Sequence, residues 1–462
     1  MLAGFAEREF TPAEGPIPGQ IKAGYGEGKL TPLMAHAAVI ESNGTFAVLL
    51  SLDIIFFTVE FANALRERLA KATGIPAENI LVHTTHTHTG CETDITCWGC
   101  PANPAALIPV ADAAEEAVVA AYESRAEVMM GTGLGFETRY SFCRDFYTKD
   151  GRIVTNPGKK VPREELVAPI YDIDRSVNVM RFDNLEGEPL CFVVSYANHL
   201  DTTGKYKAFG ADYAGYLRIA LRRMYGCDVT VVFLNGCCGN VNHFDFLGLS
   251  HKQRYCKNGL LASEQIGEGL AETVRGIQAA LATEEKEVFI RGKYRTFPTA
   301  RRHATKEMKA WAHAFLADAE EKRAAGEKVD RHDELCAEQY LAEDPAALPE
   351  QVDVGIHVLQ IGEMVFVGLP GEIFSEIGLR IKANSPYACT VVTELTDGSH
   401  GYITPDYVQL AGCYESIYSN IAYTGKDTAD VLVNGATEML RELHGEYLAE
   451  TTGGLAIRPK TW

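Results

Sequence analysis

Three histidines fall within six residues in the stretch Val82-His83-Thr84-Thr85-His86-Thr87-His88-Thr89-Gly90. They follow Ile80-Leu81-Val82, an apolar run of the kind that forms a buried strand. Side chains alternate across a strand. If the strand continues through the motif, His86 and His88 share one face and His83 points the other way. Two imidazoles on one face can serve one metal, or one metal and its substrate. Neutral imidazole is a common metal ligand, and zinc is the first metal it suggests. A His-x-His pair alone is a weak signal, because a His/Thr-rich strand end with satisfied hydrogen bonds reads the same way. It needs further ligands from elsewhere in the chain.

The whole chain sets the limits of that search. Its 462 residues allow one large α/β domain or two to three smaller ones, and 46% hydrophobic residues are ample for a core. A formal net charge of −19 argues against nucleic acid and anionic membrane surfaces as partners. The first ten residues show no basic, apolar leader pattern, and no stretch has the apolar length of a membrane span. A cytoplasmic protein with no stable membrane insertion is the expectation. Twelve cysteines in a chain this long do not describe a disulfide scaffold. Cys97 and Cys100 have C-x-x-C spacing but no second pair follows, so a structural zinc site is not indicated.

The elements that must position the histidines recur three times. Each copy reads strand, turn, strand, loop, helix, strand, loop, helix. The first runs from Met34–Ile40 through the turn signal Asn43-Gly44 to Phe46–Asp53, a helix with Phe61, Leu65 and Leu69 on one face, Ile80–Val82, and a helix around 110–122. The second runs from Val177–Phe182 through Gly187 to Cys191–Tyr196, a helix with Tyr213, Leu217 and Leu221, Val229–Leu234, and a helix near 262–282. The third runs from Gly355–Gln360 to Met364–Gly368, a helix with Phe374, Ile377 and Ile381, Thr390–Thr393, and a helix near 428–447. This predicts an α/β fold of mixed sheets with flanking helices, one domain over residues 1–462. A charged, alanine-rich stretch at about 305–343 reads as a solvent-facing helical insertion between the second and third copies.

The unusual residues fall just past strand ends: Asp53, His86, His88, His199, the Asn235–Asn240 loop, Glu372 and Tyr402. Ligands bind at the C-terminal edge of strands in α/β sheets, so these loops are expected to meet. His86, His199 and Glu372 offer two nitrogens and a carboxylate, a hydrolytic zinc set, with Tyr402 able to complete the shell. His88 would lie beside the metal, where it can bind a developing oxyanion or protonate a leaving group. Asp53 is either a partner for a ligand imidazole or a turn carboxylate. Arg144, Arg152 and Tyr414 read as ordinary loop residues by chemistry alone. Cys237 and Cys238 pair with no base, so packing in a tight loop is the simpler reading.

The chain resembles the neutral/alkaline non-lysosomal ceramidase family in motifs spread over nearly its whole length. Phe10-Thr11-Pro12-Ala13-Glu14-Gly15 and Gly24-Tyr25 resemble that family's start. Thr85-His86-Thr87-His88-Thr89-Gly90, Ala211-Asp212-Tyr213-Ala214-Gly215-Tyr216-Leu217, Leu369-Pro370-Gly371-Glu372, and Tyr402-Ile403-Thr404-Pro405 through Tyr414-Glu415 resemble its later signatures. The resemblance implies zinc ligands at His86, His199, Glu372 and Tyr402. It implies that His88, Arg144 and Tyr414 bind and polarise an amide, which is hydrolysed to an acid and an amine. This chain differs from the family's lipid-cleaving members in having no secretion signal and no C-terminal immunoglobulin-like domain. It also has Gly236 where those members place a serine near the metal. A small N-acyl or ceramide-like amide is therefore the expected substrate. A zinc esterase or lactonase, or a metal-dependent binding protein without turnover, is the alternative.

Overall fold

Each repeated unit builds one sheet. In the first, β1 (Leu2–Glu9), β2 (Met34–Ser42), β3 (Thr45–Leu52), α1 (Val59–Thr73), β4 (Ile80–Thr84) and α2 (Ile108–Glu123) give the strand order β4-β3-β2-β1, with Ala126–Glu127 added beyond β1. In the second, β5 (Met129–Phe136), β6 (Ser176–Asp183), β7 (Pro189–Tyr196), α3 (Asp212–Tyr225), β8 (Thr230–Asn235) and α4 (Leu260–Gln278) give β8-β7-β6-β5. The third comprises β9 (Ile290–Ala300), α5 (Lys306–Ala324), α6 (Arg331–Ala342), β10 (Gln351–Ile361), β11 (Met364–Gly368), α7 (Ser375–Asn384), β12 (Cys389–Thr393) and α8 (Thr428–Thr451), with order β12-β11-β10-β9. The structure is a computed structural model that describes residues 1–19, 24–97, 99–158, 161–203, 207–226, 228–248 and 260–451.

The three expected units are present, and each carries a further strand that the sequence pattern did not separate: β1, β5 and β9. In every sheet the first three strands are antiparallel and the fourth runs parallel to the third across a helical crossover. Strand β5 is hidden by its glycines, which are depleted in strands generally. Here they make room for the chain at the end of α4. A Cβ on Gly131 would meet Ala282 O at 2.2 Å, and one on Gly133 or Gly135 would meet Ile277 at 2.7 or 2.6 Å. The helical pair α5–α6 lies in the connection between β9 and β10. It therefore interrupts the third unit and does not separate it from the second.

Both faces of each sheet are buried. The outer faces pack on helices in three separate clusters, for example Val48 and Leu50 with Leu65 and Val118. The inner faces share one core: Leu49 from the first sheet, Phe182 and Val193 from the second, Leu359 and Phe366 from the third. Burial on two faces explains why these strands read as continuous apolar runs without alternation. Each large side chain so buried contributes about 1.5–3 kcal/mol. No described helix is long and apolar enough to cross a membrane.

The parallel pairs β3/β4, β7/β8 and β11/β12 send their C-terminal ends to one place. Backbone bonds join the three units there: Thr84 N to Leu395 O at 3.2 Å, Asp397 N to Val82 O at 2.7 Å, and Glu394 N to Asn235 O at 3.3 Å. Asp53 makes a further joint. It contacts none of the strand-end imidazoles; instead Arg218 of α3 donates to both its oxygens, at 2.6 and 2.9 Å, with both groups buried. Asp53 also accepts from Met34 N at 3.0 Å and from the Thr85 hydroxyl at 3.3 Å. Burial favours its neutral form, but the Arg218 charge, its two hydrogen bonds and the nearby His36 outweigh burial and hold the carboxyl at about 2.

A folded pKa below the unfolded value stabilises the protein above about pH 4, and that contribution is lost as pH falls toward 2. Asp53→Asn is expected to cost about 3 kcal/mol at neutral pH and to flatten the acid limb of stability. Urea unfolding at several pH values checks this. The same acid limb in both proteins would contradict it.

Candidate metal centre

The chain leaves the first sheet at His86. Strand β4 ends at Thr84, and His86 adopts a left-handed conformation, φ 67°. Such a non-glycine residue costs of order 1–3 kcal/mol and must be held by its surroundings. Its N–H bonds Ile54 O at 3.0 Å, and His88 N–H bonds Leu200 O at 2.9 Å. The grouping of His86 with His88 therefore comes from a clamped loop, and strand alternation does not produce it. The intervening threonines anchor that loop on its far side. Thr87 and Thr89 both donate to Gly210 O, at 2.6 and 2.8 Å, and Thr85 donates to Asp53. His83 lies elsewhere, its Nε2 accepting from Asn235 N–H at 3.0 Å.

The other units bring the remaining groups. His199 follows β7. Glu372 and Tyr402 sit side by side in a two-stranded parallel pair, Glu372–Ile373 with Tyr402–Ile403. His86 Nε2 lies 3.2 Å from His199 Nε2, 3.3 Å from His88 Nε2 and 3.3 Å from Glu372 Oε2. His199 Nε2 is 3.8 Å from Glu372 Oε2. Each imidazole turns its other nitrogen to a backbone carbonyl: His86 Nδ1 to Ile55 O, His88 Nδ1 to Gly19 O and His199 Nδ1 to Cys238 O. That fixes the tautomer and frees every Nε2.

These donors fit a metal. A tetrahedral zinc with bonds of about 2.0–2.1 Å has ligand–ligand edges of about 3.3 Å. Glu372 Oε2 is buried without an aligned hydrogen-bond partner, as a carboxylate awaiting a cation would be. Burial and the neighbouring His86 push His88 down to about 4. Burial and Arg144 push His199 well below its usual value, so both are neutral and able to ligate. Burial alone would lower His86 as well, but the Glu372 charge raises it. His86, His199, Glu372 and Tyr402 are buried, whereas His88 and Tyr414 are partly exposed.

Arg144 reaches the centre from a hairpin. Its Nε donates to Glu415 Oε1 at 2.7 Å and its Nη2 to Gly239 O at 2.7 Å and to Tyr402 Oη at 3.2 Å. The guanidinium lies 5.6 Å from the Tyr402 ring centre and 5.9 Å from that of Tyr414. Tyr402 in turn lies directly beside Glu372 across the strand pair. On the outer side, His332 of α6 packs against Tyr414 at 5.4 Å, so the helical insertion touches the site. All seven expected residues thus gather in one place: His86, His88, His199, Glu372, Tyr402, Arg144 and Tyr414.

Other candidates do not join them. Arg152 is exposed and pairs with Asp150 at 2.7 Å. Cys238 donates to Glu394 Oε1 at 2.8 Å, and burial together with the Glu394 charge pushes its thiol well above the usual range, which makes it a poor nucleophile. The ten described cysteines, Cys97 and Cys100 included, are free. A Cβ on Gly236 would meet Ala197 Cβ at 3.0 Å, so this loop has no room to spare where a serine would stand.

Three contributors escaped the sequence reading. Glu394 directly follows β12 and accepts from Cys238 N and Ile373 N, at 2.8 and 3.0 Å; burial raises its carboxyl to about 7. The strand-end rule that found Glu372 would have found it too. Gly19 and Gly239 carry no side-chain signal at all. A Cβ on Gly19 would meet His88 O at 2.5 Å, and one on Gly239 would meet Glu372 O at 2.7 Å.

The fold is neutral ceramidase-like. The neutral ceramidase of Pseudomonas aeruginosa superposes with a TM-score of 0.73 at 16% identity, over 96% of this chain and 74% of that one. A ceramidase complexed with C2 superposes at 0.72 and 16% identity, over 96% and 75%. At that identity the likeness is one of fold. No family model and no curated protein matches the sequence.

Gly239→Ala must push on the Glu372 backbone. It is expected to cost about 1–3 kcal/mol and to weaken metal binding about 10- to 100-fold. Chelator competition reads the second effect, and unchanged metal affinity would contradict it.

Proposed function

We propose that this protein is a zinc-dependent hydrolase of small N-acyl amides. The observation that carries the reading is the convergence of three Nε2 atoms and one carboxylate oxygen, each ring held by its far nitrogen. His86, His199, Glu372 and Tyr402 would hold the metal. They include more donors than a site with an open position requires once His88 is counted, so one group must face substrate. His88 is the partly exposed one and is assigned there. When bound, zinc supplies Lewis acidity at the carbonyl and an activated water at neutral pH. Arg144 offers an N–H to the carbonyl oxygen, where charge develops, and the unprotonated Nε2 of His88 can accept a proton beside it. Tyr414, at the rim, offers its hydroxyl to the departing amine. The ceramidase names of the fold neighbours support an amide as the scissile bond. The same groups serve an ester, whose leaving group needs less proton donation.

Purified protein is expected to carry one zinc per chain. His86→Ala and Glu372→Ala are expected to lose zinc together with activity, whereas His88→Ala keeps zinc and loses about 100-fold or more in kcat. Metal analysis and initial rates check this. Zinc lost on His88→Ala would move that residue into the ligand set. Across N-acyl amines of graded chain length and matched esters, amides are expected to be hydrolysed. Turnover of esters alone would establish the esterase alternative, and turnover of neither would leave a binding protein.

A further inference from the structure

Arg144 and Tyr414 are each followed in the chain by a buried acid, Asp145 and Glu415. Asp145 lies opposite Thr155 in the hairpin of Asp145–Thr148 with Ile153–Thr155. The Thr155 hydroxyl is 2.6 Å from Asp145 Oδ1 and 2.9 Å from Glu415 Oε2. A hydroxyl donates one proton. It can serve one of these oxygens; contact with the other requires a proton on that carboxyl. Glu415 also accepts from the Arg144 guanidinium at 2.7 Å, a charge-assisted bond that favours its ionised form. The second oxygen of Asp145, Oδ2, is buried with no hydrogen-bond partner, which an ionised carboxylate tolerates poorly.

We propose that Asp145 is a neutral carboxylic acid in the folded protein and heads a hydrogen-bond chain, through Thr155 and Glu415, that positions Arg144. Asp145 donates to Thr155, Thr155 donates to Glu415 Oε2, and Glu415 Oε1 accepts from Arg144 Nε. Gly239 O and Tyr402 Oη engage Nη2. That leaves Nη1 outside these bonds and directed by them. The functional part of this inference rests on the reading of Arg144 as a group that binds the amide carbonyl. Burial and the Glu415 charge push the Asp145 carboxyl well above the ordinary range, in the same sense as the proton count. The groups around it are Arg144 and Cys143 just before it in the chain, Thr155 across the hairpin, and Glu415 and Cys413 from the turn that carries Tyr414. Asp145, Cys413 and Glu415 also stand close enough to share a metal ion, which would take the proton's place.

Infrared difference spectra of the wild type against Asp145→Asn test the proton directly. A protonated-carboxyl C=O band is expected at neutral pH and is expected to vanish in the variant. The asparagine amide can still donate to Thr155, so its kcat is expected to fall only about threefold, whereas Glu415→Gln, which loses the charge facing Arg144, falls roughly 30- to 100-fold at full zinc content and near-native Tm. Thr155→Val breaks the chain at its middle and is expected to fall between them. Absence of the band would overturn the proposal. So would an Asp145→Asn loss equal to that of Glu415→Gln, or a second metal equivalent that Glu415→Gln removes. The band and the metal count need no turnover, so they stand or fall separately from the hydrolase reading.

Discussion

Three imidazole nitrogens can all offer a lone pair to one ion only if each ring keeps its proton on the other nitrogen. Here that constraint is met by backbone carbonyls of Ile55, Gly19 and Cys238, each in contact with one Nδ1. Carbonyls in a fixed backbone cannot rotate away as side-chain partners can, so the geometry of the centre inherits the precision of the sheet ends. The loops bearing them are fastened between units, by Asp53 to Arg218, by Thr87 and Thr89 to Gly210, and by Glu394 to Cys238 and Ile373. Buried charge is costly unless paired, and the Asp53–Arg218 pair sits at a junction where an unpaired charge would penalise an incorrect docking of units.

Much of this was legible in the sequence, for a definite reason. Strands buried on both faces are apolar throughout, and the three that precede the site loops stand out as runs such as Phe46–Leu52 and Thr230–Leu234. A strand end followed by His or Glu then marks the site, which is how His86, His199, Glu372 and Tyr402 were found. The role of Asp53 was left open between two readings because its partner, Arg218, lies on a helix of another unit and leaves no local trace. The alternation argument reached the right company for His88 by the wrong route, since φ at His86 ends the strand logic before it applies. Arg144 and Tyr414 were legible only through family resemblance. An arginine in a short hairpin looks solvated until the fold buries it against Glu415.

The insertion α5–α6 is the least regular part of the molecule and the part that reaches the rim. His332 meets Tyr414, and a Cβ on Gly99 would come within 3.3 Å of the Arg331 guanidinium. The segment around Gly99 and the helical pair therefore touch each other above the partly exposed side of the centre. Variation in substrate size has a place to act there without disturbing the strand ends beneath.

The clustered groups are divided among the three units, with His86 and His88 from the first, His199 from the second, and Glu372 and Tyr402 from the third. No fragment of the chain holds a complete set. During synthesis, then, an emerging chain has no complete cluster until its last third has folded and docked, and on the proposed reading an ion could be captured only by the finished molecule.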